Sequence, residues 1–271
     1  MENLLILLGF LLGGIGAKLS AFYIASNLNL KNFKNVESKR NFYIFFPLSS
    51  FFLKNNFLKK EIFPILFLEL FGMVLGGAFV VSILKYISTL QLNFAGEVFM
   101  VSIFLVVTFT LLFLSVFDIL TLSVPTNLVK SLYIFTILIN LFIALLKLLS
   151  LRFGWGMFVE NVPLGGFDNL ICALLLSLLV WLLSKLTKES AMGMGDVDIA
   201  GIVGIMLGWP NIIAGFMYTL YVGGFVGIIY MIFLKKFRDT LVPFVPIITL
   251  GFVLSLGFYK IVTDLFLYGV Y

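Results

Sequence analysis

Residues 98–117 form an apolar run of twenty residues without a single charged side chain. Such a run can cross a bilayer as one helix, because a helix rises about 1.5 Å per residue and the hydrocarbon core is about 30 Å thick. Similar runs recur along the chain, of which 62% is hydrophobic and only 11% is charged. We therefore predict an all-α, polytopic membrane protein, since helices satisfy their backbone polar groups internally.

The hydropathy pattern predicts about eight transmembrane helices within a single membrane-embedded domain that covers residues 1–271. The predicted spans are residues 4–25, 62–87, 98–117, 124–149, 164–186, 196–207, 212–234 and 244–267. The sixth span is the shortest, and we expect it to end at Gly208, because Pro210 cannot continue a helix interior.

Lysine and arginine residues set the expected orientation. The loop at residues 30–61 is basic, and so are the connections after the fifth and seventh spans. Eight alternating spans place these three regions on one side, which the positive-inside rule identifies as the cytoplasm. The expected partner of these cations is the anionic surface of the lipid bilayer, and no nucleic acid is expected to bind.

Two absences narrow the chemistry. The chain has no histidine, which excludes Ser-His-Asp and Cys-His catalysis as well as histidine zinc motifs. The single cysteine, Cys172, excludes intrachain disulfides, and its apolar surroundings predict a small buried hydrophobic residue. Carboxylates, hydroxyls and lysines remain as candidate catalytic groups, and no metal site is expected.

Two aspartates stand at the ends of predicted spans. Asp118 follows the third span, and Asp196 begins the sixth, directly after Gly193-Met194-Gly195. Because these spans run in opposite directions, both carboxylates are expected at the cytoplasmic rim of the bundle. A carboxylate is energetically costly to keep there, so both residues are functional candidates. Two close aspartates can hydrolyse a peptide bond by sharing one proton. The helix ends favour Asp196 as the more acidic member and Asp118 as the proton donor.

Each residue also has a plainer interpretation. Asp196 is typical of a helix N-cap, and Asp118 of an anchor at the membrane interface. Gly193 and Gly195 are expected to let the backbone turn tightly and to bring its amides near a substrate strand.

The alternative function is a secondary transporter or channel that binds a cation through Asp118 and Asp196. An inverted repeat would favour this function, and none is found in the sequence.

The chain resembles the type IV prepilin peptidases, which are membrane aspartyl proteases of the Gly-x-Gly-Asp kind. Three motifs carry the resemblance. The first is Asp118 followed by Val-Pro-Thr-Asn-Leu at 124–128, and the second is Gly-Met-Gly-Asp at 193–196 followed by residues 200–201 and 207–209. The third is Pro-Phe-Val-Pro at 243–246 followed by residues 250–251. They resemble the first-aspartate region with its "LPDxL" element, the second-aspartate motif and the late "PFxPxLxxG" element. Residues 98–251 would form the peptidase core.

This resemblance implies cleavage of the basic leader from prepilin or pseudopilin precursors at the cytoplasmic face of the inner membrane. Asp118 and Asp196 would be the catalytic pair, and proteolysis would need no cofactor. Many bacterial members also methylate the new N-terminus with S-adenosylmethionine. We expect this cofactor only if methyltransferase activity is retained, and Glu69, an acid within the second span, is the residue to test for it.

The sequence departs from the family pattern in three places. Thr126 replaces the usual acid or amide, and Asp198 stands where lysine is usual. As a third carboxylate, Asp198 is expected either to take part in the pair or to face the aqueous loop. The first loop lacks the two CxxC pairs of many bacterial members. A presenilin-like protease is a further alternative, but Phe117 replaces its tyrosine and no Pro-Ala-Leu triplet occurs.

Overall fold

A computed structural model describes residues 9, 11, 13–15, 59–90, 92–153, 162–187, 192–234 and 242–263 of the chain. Between residues 59 and 263 these form seven helices: α1 Lys59–Ser88, α2 Phe94–Thr121, α3 Thr126–Phe153, α4 Phe167–Leu186, α5 Met194–Leu207, α6 Asn211–Leu234 and α7 Val245–Thr263. The part of the chain that the structure describes is therefore all-helical, as the hydropathy pattern predicts.

Four helices in the described segments are long and apolar enough to cross a membrane. Their apolar stretches are Phe94–Ile119 in α2, Thr126–Ser150 in α3, Phe167–Leu186 in α4 and Asn211–Ile229 in α6. They correspond to the predicted third, fourth, fifth and seventh spans. The structure thus supports a membrane-embedded bundle with four such helices among the described residues, and the predicted set of eight spans is not confirmed.

The remaining predicted spans are described only in part. Shorter apolar stretches occupy Gly72–Ser88 in α1 and Val245–Phe258 in α7. The predicted first span, 4–25, lies outside the described residues except for positions 9, 11 and 13–15, which are helical. Most of the predicted basic loop at 30–61 also lies outside them.

Helix α5 differs from its predicted form. It begins at Met194 rather than Asp196, and its 14 residues extend about 21 Å, which is less than the thickness of a hydrocarbon core. It ends at Leu207 as expected, with Gly208 as a C-cap of positive φ (59°). Residues 199–207 are all buried, and α5 packs mainly against α4 and α3. The shortest helix therefore forms the centre of the bundle.

Glycine permits the close packing of α5 on α4. A Cβ added at Gly204 would lie 2.6 Å from the Cα of Ala173, so no larger residue fits without movement of the backbone. Cys172, beside this contact, is buried as predicted. Asn169 of α4 further joins the helices by donating a hydrogen bond of 2.7 Å to the carbonyl oxygen of Ile205.

Glycines also join the described N-terminal positions to α1. Backbone atoms of α1 at Gly72 and Gly76 lie against Gly13, and those at Gly9 lie against Gly76, so an added Cβ at Gly13 or Gly76 would collide. Each partner carries two glycines four residues apart, which is the small-xxx-small pattern that lets helices approach closely in membranes. This contact was not part of the sequence prediction.

The alternating directions of the helices bring four helix ends together. Helix α2 ends at Thr121, and Leu122 is a C-cap in the left-handed region (φ 52°, ψ 29°). Helix α3 then begins after Pro125, whose missing N–H suits a helix start. Helices α5 and α7 begin at the same end of the bundle, and residues from all four helix ends line one cavity.

Candidate functional site

The cavity at this end of the bundle has a volume of about 320 Å³. Its lining residues come from the end of α2, the α2–α3 connection, the start of α5 and the segment before α7: Asp118, Leu122, Ser123, Val124, Thr126, Met192, Gly193, Gly195, Asp196, Val242 and Phe244. Three helix N-termini and one C-terminus therefore surround a space that contains two carboxylates. Helix N-termini carry partial positive charge, which suits a site that holds anionic groups.

Asp118 lies in the last turn of α2 and is 6% exposed. Its Oδ2 accepts a hydrogen bond of 3.1 Å from the backbone N–H of Val245, the first residue of α7. The residue before Val245 is Phe244, which has no side chain able to cap a helix. Asp118 therefore caps α7 from a neighbouring helix. Its own carbonyl oxygen accepts the N–H of Leu122, which closes α2.

Asp196 lies at the third position of α5 and is 8% exposed. Its Oδ2 accepts a hydrogen bond of 2.9 Å from the N–H of Gly193, the N-cap residue. The plainer interpretation of Asp196 as the N-cap is therefore wrong in position, although the side chain does cap the helix start. Asn169 does the same in α4, where its Oδ1 accepts the N–H of Gly166 at 3.2 Å. The carboxylate is thus held by a local motif that also begins α4.

Burial governs the ionisation of Asp196, which lies outside the four long apolar helices. Desolvation raises the pKa of Asp196 to about 6; the hydrogen bond from Gly193 opposes this shift, and the nearby charge of Asp118 adds to it. The helix-terminus argument, which favoured ready ionisation of Asp196, is outweighed by burial. The helix ends no longer predict different pKa values for the two acids, because Asp118 also contacts the N-terminus of α7. Which aspartate is more acidic stays a prediction.

The structure brings Asp118 and Asp196 to the same cavity, although 78 residues separate them in sequence. Each carboxylate has one oxygen bonded to a backbone amide from a helix start. These amides fix the orientation of the side chains without neutralising either charge. The geometry suits a pair that divides one proton, although the catalytic role of the two residues stays a prediction.

Asp198, the third carboxylate considered, is not part of the cavity lining. It is half-buried on α5, where burial raises its pKa and the positive charge of Lys130 on α3 lowers it. Two residues along a helix turn the side chain by about 200°, so Asp198 points away from the face that carries Asp196. Its geometry favours an electrostatic contact between α5 and α3 over membership of the pair.

Gly193 and Gly195 line the cavity, but the tight turn predicted for them is not found. Gly193 has φ −86° and ψ 167°, an extended conformation that any residue adopts, and Gly195 is helical. An added Cβ would lie 3.9 Å from Asp196 at position 193 and 3.8 Å from Val124 at position 195. No tight turn requires these glycines. Their effect is to leave space beside the carboxylate, where a substrate backbone could approach.

Glu69 lies in α1, but its side chain is outside the described part of the chain. Its proposed connection with a methyltransferase activity therefore stays a prediction. Among the described residues, no three His, Cys, Asp or Glu side chains lie close enough together to hold a metal ion.

Sequence reasoning missed the backbone groups that contact Asp118 at the end of α2 and at the start of α7. The amide of Val245 and the left-handed Leu122 are examples, and Leu122 is the only non-glycine residue with positive φ among those described. A non-glycine residue in this region is uncommon and is often found at functional sites. The motif around 243–246 signals the start of α7, but nothing local to it indicates that Asp118 receives the amide.

Comparisons with protein-family models, curated proteins and solved structures find no match to this chain.

Proposed function

We propose that this protein is a membrane aspartyl endopeptidase that removes the basic leader from prepilin-like or pseudopilin-like precursors. Asp118 and Asp196 would form the catalytic pair at the cytoplasmic face of the inner membrane. The observation that carries the proposal is their convergence from two helices in one cavity of about 320 Å³, each held by a backbone amide.

The proposed reaction needs one ionised and one protonated carboxyl group. The ionised aspartate accepts a proton from a water molecule as the water attacks the peptide carbonyl carbon. The protonated aspartate donates to the carbonyl oxygen and, as the intermediate collapses, a proton passes to the leaving amine. A pKa of about 6 for Asp196 supports this scheme, because both protonation states are then accessible near neutral pH.

The surroundings of the pair suit an extended peptide joined to an apolar helix. The exposed Gly193 offers a backbone edge without a side chain, next to Asp196. The four long apolar helices place the rest of the bundle in lipid, where an apolar segment of the precursor would also reside. The scissile bond would then lie at the rim of the bilayer. If the product is also methylated, S-adenosylmethionine would supply the methyl group.

Co-expression with a precursor tests this proposal. The precursor has a basic leader, a glycine before the cleavage point and an apolar helix after it; processing is read from the mass and N-terminal sequence of the product. We expect Asp118→Asn and Asp196→Asn to abolish processing. Asp198→Asn is a matched control on the same helix, and it should retain processing because Asp198 lies outside the cavity lining.

Two results would contradict the proposal. Processing by both Asp118→Asn and Asp196→Asn would remove the protease interpretation. Loss of processing in Asp198→Asn alone would move the active pair to include that residue. The alternative function, cation transport, predicts a flux that depends on Asp118 and Asp196 in proteoliposomes, without any cleaved product.

A further inference from the structure

A buried pair of hydroxyl groups joins α2 to α7 one helical turn away from Asp118. Ser115 precedes Asp118 by three residues, and Thr249 follows Val245 by four, so the pair lies on the same faces as the Asp118–Val245 hydrogen bond. Ser115 Oγ and Thr249 Oγ1 are 2.8 Å apart. The two residues are only 6% and 2% exposed, respectively.

Each hydroxyl is also bonded within its own helix. Ser115 Oγ lies 2.7 Å from the carbonyl oxygen of Leu111, and Thr249 Oγ1 lies 2.8 Å from that of Val245. Two hydroxyl protons thus serve three close contacts, all of them buried. Loss of one hydroxyl would leave the other without its partner across the interface at a buried position.

The axial position of α7 against α2 controls the contact with Asp118. The N–H of Val245 reaches Asp118 Oδ2 at 3.1 Å, so a slide of α7 by about 1 Å would take this contact beyond hydrogen-bond distance. The deeper contact of the helices, Phe104 against Phe252 with ring centroids 6.4 Å apart, is apolar. Apolar packing of this kind opposes a slide through the interdigitation of side chains, and a hydrogen bond adds a directional restraint. A hydrogen bond one turn from the site resists it directly.

We propose that Ser115 and Thr249 are positioning residues that hold the N-terminus of α7 on Asp118 and thereby fix the orientation of that carboxylate for proteolysis. The catalytic part of this inference rests on the proposed function. The pair touches neither the cavity nor the reacting atoms. It acts through Val245, whose amide Thr249 steadies by bonding to the same residue's carbonyl group.

Hydrogen exchange at the Val245 amide tests the positioning without reference to any activity. The full-length protein is compared in lipid nanodiscs as wild type, Thr249→Val, Thr249→Ser and Ser255→Ala. Valine matches threonine in shape but lacks the hydroxyl, serine keeps the hydroxyl, and Ser255 is a buried hydroxyl on the same helix that bonds only to Phe252 of that helix. We expect faster exchange of the Val245 amide in Thr249→Val alone. The Gly193 amide, bonded to Asp196, should be unchanged in all four proteins.

Cleavage kinetics test the consequence for catalysis. Thr249→Val and Ser115→Ala should each lower kcat by about ten- to a hundredfold, since misplacement of a catalytic group by 1 Å has effects of this size. KM should change less than twofold, because the substrate surfaces are intact. The double variant should be no slower than either single variant, and Thr249→Ser should restore the wild-type rate. If the pair served folding alone, the variants would give less folded protein, but they would not show a lower kcat with an unchanged KM.

Two outcomes would overturn the inference. The first is an unchanged exchange rate at Val245 in Thr249→Val. The second is a normal kcat in that variant despite faster exchange, which would show that the position of α7 does not matter for cleavage. If the wild type cleaves no precursor at all, the proposed function fails, whereas the exchange measurement still decides whether the hydroxyl pair positions α7.

Discussion

The buried charge of Asp196 should make the protein less stable at neutral pH than the uncharged variant Asp196→Asn. The pKa of this carboxyl rises from 3.8 to about 6 on burial. One pKa unit corresponds to about 1.4 kcal/mol, so the ionised side chain costs the folded state on the order of 3 kcal/mol above pH 6. Asparagine has nearly the same shape and keeps an oxygen that can accept the Gly193 amide.

The sign of the pH dependence follows from linkage. The folded state binds the proton more tightly than the unfolded state, so the free energy of unfolding falls as pH rises from about 4 to about 6 and is then constant with respect to this group. Asp196→Asn removes this dependence. Its free energy of unfolding should therefore exceed that of the wild type by up to about 3 kcal/mol at pH 8, and the difference should vanish near pH 4.

Denaturant titration of both proteins in bicelles at pH 4 and pH 8 measures the difference. Asp198→Asn is the control, because Asp198 is only half-buried and the charge of Lys130 opposes the effect of burial on its pKa. The control should gain much less at pH 8. An Asp196→Asn protein that is less stable than the wild type at pH 8, or equally shifted at both pH values, would refute the argument from burial.

Three further predictions concern pH, helix termination and packing. The cleavage rate should change with pH through about 6 in a pH–rate profile, because Asp196 titrates there as one pair with Asp118; a rate that is constant across this range would contradict the argument. Leu122→Gly should raise the free energy of unfolding by up to about 1 kcal/mol, because glycine adopts positive φ without strain. A lower denaturation midpoint in this variant would show that the leucine side chain is needed. Gly204→Val should lower the free energy of unfolding by about 1–3 kcal/mol or prevent folding, because its Cβ would collide with Ala173. The control Gly224→Ala should not be destabilised, since no atom lies within 4 Å of the added Cβ. Equal stability of the two variants would contradict the α4–α5 contact.

Hydropathy predicted the helices well because each long helix meets lipid on one face and must be apolar along its length. The exposed apolar side chains of α3, α4 and α6 are the outcome, and they include Leu138, Leu174 and Phe225. The end of α5 at Gly208 was predicted because glycine and proline act locally. The predicted start of α5 was wrong by two residues. Gly193, and not Asp196, is the N-cap residue, and the N–H of Gly193 donates a hydrogen bond to the side chain of Asp196.

The shared depth of Asp118 and Asp196 was expected from the alternation of the spans, which depends only on their order. Their contacts were not predictable in this way. The amide of Val245 reaches Asp118 from 127 residues away, and the hydroxyls of Ser115 and Thr249 are 134 residues apart. Such partners are chosen by the packing of α2 on α7, which leaves no periodic signal in either segment. The same limit applies to Asp198, whose relation to Lys130 depends on how α5 packs on α3.

The central claim is that Asp118 and Asp196 act as one unit on a peptide bond. Single-turnover cleavage of a purified precursor in nanodiscs should be measured for the wild type, Asp118→Asn, Asp196→Asn and the double variant. Residues that act as a unit have non-additive effects, so each single variant should lose at least about a thousandfold in rate and the double variant should lose no more than either. A single variant that stays within tenfold of the wild type, or losses that multiply in the double variant, would contradict the account.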